Sequence, residues 1–137
     1  MTRIKKLDPA VQHADKKEQA ALQKVSVAQG EVSLEQNKLT QLRQYRAEYC
    51  QRLEQMQSSH SVIELQEFNR FISQLDDTIR QQMGVIQLRQ NELDRLRSLW
   101  HKTQISSKVI HQVVDNLHQQ QLSIPIDIFL TCYLQFK

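Results

Sequence analysis

A chain of 137 residues has room for one domain, and with two glycines and two prolines it has little material for turns, so it must be built from a few long elements. Aromatic residues supply only 6% of the chain while glutamine fills 22 positions, which favours helix over strand and leaves little bulk for a globular core. The net charge of +3 falls short of the dense basic stripe that phosphate recognition needs, so nucleic acid is not expected as a partner.

Met1 to Leu7 carries Arg3, Lys5 and Lys6 but leads into Asp8-Pro9 instead of an apolar run, so the start reads as neither a signal peptide nor an anchor. Asp8 suits a helix cap and Pro9 the first helical position, because proline has no amide to leave unsatisfied. From Ile4, alternate steps of three and four residues reach Leu7, Val11, Ala14, Glu18, Ala21, Val25, Ala28, Val32, Glu35, Leu39, Leu42, Arg46, Tyr49, Leu53 and Met56. Thirteen of these sixteen positions are apolar, the 3.5-residue period of a coiled-coil seam. The first helix is predicted over about residues 8–57.

Gln57 to His60 is polar, and Ser61-Val62-Ile63-Glu64 has the spacing of a capping box, so a turn is predicted at about residues 58–61. A second seam follows through Leu65, Phe68, Ile72, Leu75, Ile79, Gln82, Ile86, Arg89, Leu93, Leu96, Trp100, Thr103, Ser107, Ile110, Val114, Leu117 and Gln121. It predicts a helix over about residues 62–121. The expected fold is all-α: two long helices forming an antiparallel coiled-coil hairpin over residues 1–122, a rod of roughly 75 Å. A parallel dimer broken near Ser58 fits the same repeats.

Folding back brings seam residues into register when their numbers add to about 121. Tyr49 then meets Ile72, Trp100 meets Ala21 with a large ring against a thin layer, and Glu35 and Arg89 come one layer apart as an expected semi-buried ion pair. Residues 123–137, SIPIDIFLTCYLQFK, form an atypical apolar tail that Pro125 and Asp127 interrupt, too short to span a membrane. A docking strand, an extra apolar contact and a tail from a shifted reading frame all fit it.

No phosphate loop, Ser/His/Asp grouping or His-x-x-x-His pair appears, so neither catalysis nor a metal or other cofactor is expected. His111 and His118 read as solvated, Cys50 as an inert thiol beside the seam, and Cys50 and Cys132 as unpaired. Off the seam, Tyr45 joins Leu42 and Tyr49 along one side of the first helix, and Phe71 joins Leu75 on the second. The register brings them onto one lateral patch, a candidate partner site, since a closed rod has little structural use for exposed aromatic rings. Residues 1–24 and 97–120 together carry +5 and residues 25–96 carry −2, so the end where the termini meet is basic, with Lys16, Lys17 and Lys102 as its candidate contacts.

The stretch from Lys38 to Tyr49, in the pattern L-x-x-L-x-x-Y-x-x-E-Y, then the F-x-x-F-I-x-x-L of Phe68 to Leu75 and a later Trp100, resemble the FliJ family of the bacterial flagellar type III export apparatus. The resemblance covers roughly residues 4–121. It implies a non-enzymatic, stalk-like coiled coil in the cytoplasm, associated peripherally with the inner membrane at the flagellar base. By the same resemblance the basic terminal end would engage the export ATPase FliI, and Leu42, Tyr45, Tyr49, Phe71 and Leu75 would contact the export gate protein FlhA. The regulator FliH and export chaperones are further implied partners. A stalk protein of a virulence type III secretion system and a generic coiled-coil scaffold are the competing readings.

Overall fold

A computed structural model describes the backbone of residues 2–56 and 61–135 and the side chains of residues 5–56 and 61–120. Helix α1 spans Thr2–Met56 and helix α2 Val62–Gln135. The two pack against each other as a hairpin, with no strand among the described residues. Both glycines, Gly30 and Gly84, lie inside helices and neither has a positive φ.

The predicted seam is the buried stripe. Every described seam position of α1, from Leu7 to Met56, is buried or half-buried, and on α2 the same holds from Leu65 to Leu117 except at Arg89. A 3.5-residue repeat keeps one narrow face turned toward its neighbour, so most positions between are left to solvent. The register also holds: the numbers of the cross-helix pairs Tyr49–Phe71 and Arg89–Glu31 add to 120, and those of Arg46–Asp76 and Asp15–Ser107 to 122. The helices therefore run antiparallel within one chain.

The hairpin divides into two compact units, Met1–Val25 with Leu96–Lys137, and Ser26–Arg95. In the second, Val32 and Leu93 are only 1% exposed and form the tightest part of the core, with Ala28, Ile72, Leu75 and Ile79 also buried. One of its polar seam layers is Glu35 with Gln82. The Gln82 amide donates both to the Glu35 backbone carbonyl, at 2.9 Å, and to its carboxylate, at 2.5 Å. That hydrogen bond, ahead of the nearby Lys38, holds the Glu35 carboxyl below its ordinary range.

The expected Glu35–Arg89 pair does not form. Arg89 is exposed and its Nη1 lies 3.2 Å from Glu31. In a register of about 121 Arg89 faces residue 32, so Glu31 is one residue from the facing position and Glu35 three. In the first unit, Ser107 is a buried polar seam residue, 3% exposed, and its hydroxyl donates to Asp15 at 3.2 Å. Trp100 is half-buried with its indole N–H out of solvent and without a hydrogen-bond partner. Ala21, its expected facing residue, lines an open groove with Leu96, Leu99 and Thr103.

Helix ends differ from the sequence expectation. α1 begins at Thr2, ahead of the Asp8 start, and carries Pro9 inside it. Proline removes one amide, but the seam already includes half-buried Leu7, so packing extends the helix past the local stop signal. α2 likewise continues beyond residue 121, through Pro125, to Gln135. No described helix segment is long and apolar enough to cross a membrane.

At the other end the cap is as expected. The Glu64 amide donates to Ser61 Oγ at 3.3 Å and the Leu65 amide to the Ser61 carbonyl at 3.1 Å, opening α2 at Val62. The predicted turn residues before it, 58–60, lie outside the described residues. Ser61→Ala is expected to cost about 1 kcal/mol by removing this acceptor, while Ser61→Asp keeps it. Thermal melts followed by circular dichroism would show the alanine variant alone shifted downward.

Candidate functional site

The aromatic patch assembles within the unit Ser26–Arg95. Heptad geometry puts Tyr45 and Phe71 on the same flank of an antiparallel pair, where the borders of two seams meet. The rings of Tyr45 and Tyr49 lie 4.8 Å apart, Tyr49 and Phe71 4.6 Å, and Tyr45 and Phe71 6.2 Å in an edge-on arrangement. Phe68, read from sequence only as a seam residue, completes the cluster 5.7 Å from Tyr49. Arg52, one turn beyond, stacks its guanidinium 5.3 Å from the Tyr49 ring centre.

Exposure sorts these side chains by what they can offer. Tyr45 is 43% exposed, Leu42, Tyr49 and Phe71 are half-buried, and Leu75 is only 7% exposed. Leu75 is thus a core residue and does not reach solvent as a contact would, because its position coincides with a seam step. The Tyr45 and Tyr49 hydroxyls lie 3.2 Å apart, and this hydrogen bond is the main cause that raises the Tyr45 phenol above its ordinary pKa. Each ring presents an apolar face with a polar tip. Arg46, a seam residue, makes two hydrogen bonds to the Asp76 carboxylate, one of them between Nη2 and Oδ2 at 3.4 Å. These hold the Asp76 carboxyl below its ordinary range and raise Arg46. Cys50 is a half-buried free thiol.

The basic residues lie in the other unit. Lys17 and Lys102 come together on one groove of about 300 Å³, with His13 beside them and Ala10, Ala14 and Ile110 among its apolar walls. Lys16 is exposed but outside those walls. A second groove of about 230 Å³ shares Lys17 and Thr103 and adds Lys24, Ala20, Ala21, Leu96 and Leu99. Sequence spacing had not shown these grooves, although the thin alanine layers were the available signal.

His111 is exposed as expected but is not merely solvated. Its Nε2 lies 3.0 Å from Asp15, and this contact, more than the Ser107 hydroxyl, lowers the Asp15 carboxyl. The order is Ser107, Asp15, His111, with the carboxylate in the middle, so the imidazole does not touch the hydroxyl as a proton-abstracting base would. Among the described residues no group of three or more His, Cys, Asp or Glu side chains is placed to hold a metal ion.

The profile of a family described as "Flagellar FliJ protein" matches residues 3–124. No curated protein and no solved structure matches the chain.

Proposed function

Because the chain belongs to the FliJ family of flagellar proteins, and so to the flagellar export apparatus, we propose that it is a non-catalytic, stalk-like factor coupling the export ATPase to the export gate. The observation that carries this reading is the cluster of Tyr45, Tyr49 and Phe71, in which Tyr45 and Phe71 lie off the seam and pack on Tyr49, a seam residue that stays half-buried. Rings held in mutual contact have little conformational entropy left to lose, which is what a binding surface needs from its anchors.

In this reading FlhA takes the aromatic patch, with Tyr45, Tyr49 and Phe71 as contacts and Leu42 and Leu75 as the layer that supports them. FliI takes the basic residues, Lys17 and Lys102 in the groove and Lys16 outside it. FliH and the export chaperones are further partners, and the protein works in the cytoplasm, peripheral to the inner membrane at the flagellar base. Coupling needs no chemistry in the chain itself, only contacts that differ between the states of each partner. The family description favours the flagellar apparatus over a virulence secretion system.

Pull-down with the purified export ATPase tests the core of the proposal, since a generic scaffold would not be retained. Reversing Lys16, Lys17 and Lys102 to glutamate is expected to lower the stimulation of ATP hydrolysis several-fold and to flatten its loss with salt, because the attraction that salt screens has been removed. Unchanged stimulation would assign those charges to solvation.

A further inference from the structure

The two grooves of the unit Met1–Val25 with Leu96–Lys137 meet at Lys17 and Thr103 and so form one strip. Its floor is low because Ala14 and Ala21 supply only single methyl groups at seam positions. Leu99, 42% exposed, and Ile110 give it an apolar wall along α2. From Ala10 to Lys24 it follows α1 for about 21 Å at helical rise. Lys17, Lys24 and Lys102 border it, and among the described residues no Asp or Glu lines either half and none of the three lysines is in an ion pair.

We infer that this strip receives a third helix, an amphipathic segment of a partner protein about four turns long, with apolar residues facing the groove and Asp or Glu along both borders. Small side chains let a third helix approach the first two closely, and a concave apolar strip between paired helices is the usual seat for such a segment. The basic border selects acidic flanks, each lysine remaining available for a carboxylate. A second copy of the same unit is disfavoured, because its two segments, residues 1–24 and 97–120, total +5 and would meet like charge. The inference rests on reading Lys17 and Lys102 as partner-facing, and it narrows the partner's contact to one kind of element.

The test uses the full chain and a labelled synthetic peptide of about 16 residues, helix-forming, with leucines on one face and glutamates flanking them. Fluorescence anisotropy should show binding that falls at least tenfold when Ala10 and Ala20, both exposed, are replaced by phenylalanine to fill the strip without altering charge. Lysine-flanked peptide should not bind. Equal binding by the filled variant, equal binding of the lysine-flanked peptide, or no binding of the glutamate-flanked peptide would overturn the proposal. Spin-labelled peptide broadening the amide signals of Ala14, Leu99 and Ile110 in the unaltered chain gives a readout independent of any variant, and broadening confined elsewhere counts against the strip. Measuring ATPase stimulation beside this separates the two readings. A filled variant that loses the peptide but still stimulates leaves the helix groove standing and overturns its use by the ATPase. Stimulation lost on charge reversal, with no peptide binding, does the reverse.

Discussion

Alanine at both Tyr45 and Tyr49 is expected to weaken binding of the proposed gate partner at least tenfold while leaving helicity unchanged. Tenfold corresponds to about 1.4 kcal/mol, a modest demand for two clustered aromatic anchors removed together. Helicity should survive because Tyr45 is 43% exposed and off the seam, and because Leu53 and Ile72 continue the seam on either side of Tyr49 and Phe71. Tyr45→Phe with Tyr49→Phe separates ring from hydroxyl, since it keeps the ring contacts and removes the 3.2 Å hydroxyl pair. Titration calorimetry against the soluble gate domain would check both. Wild-type affinity in the double alanine variant would remove the patch from the proposal.

Leu93→Ala should produce the largest loss of stability of any single truncation in the unit Ser26–Arg95. Leu93 is 1% exposed, and removing three carbons from such a site costs about 2–5 kcal/mol through lost burial and the cavity left behind. A two-helix seam can close in on a void more readily than a globular core, so the lower half of that range is expected. The melting temperature should drop by roughly 10 °C. Leu88, 70% exposed on the same helix, is the control: Leu88→Ala should change stability by less than about 0.5 kcal/mol. Equal effects at the two positions would contradict the seam assignment.

The seam was legible because one repeat decides it. Leu93, Val32 and Ile79 are buried for the same reason that they recur every three or four residues, and the register followed once both runs were aligned. The convergence of Tyr45, Tyr49 and Phe71 came from that same alignment. Long flexible side chains were less readable: Arg89 reaches Glu31 instead of Glu35 because a guanidinium can choose among carboxylates spaced one turn apart. Phe68 was hidden by its double role in seam and cluster, and Leu75 appeared to be a contact when its position makes it core. Helix limits were the least readable, because Asp8-Pro9 is a local signal that the packing of Leu7 overrides. The groove of Lys17 and Lys102 depends on what alanine leaves empty, which a pattern of apolar positions does not measure.

The polar layer of Glu35 and Gln82 has a mechanical consequence. Sliding α2 by one heptad within its unit would carry the Gln82 amide to Ala28 or Leu42, neither of which has a side-chain acceptor, so its hydrogen bond to the Glu35 carboxylate would be broken without replacement. The layer acts as a detent against creep between the two strands of the unit. Force applied to one strand must therefore be carried by both together, and a load that exceeds the detent should appear as a discrete slip instead of a gradual stretch.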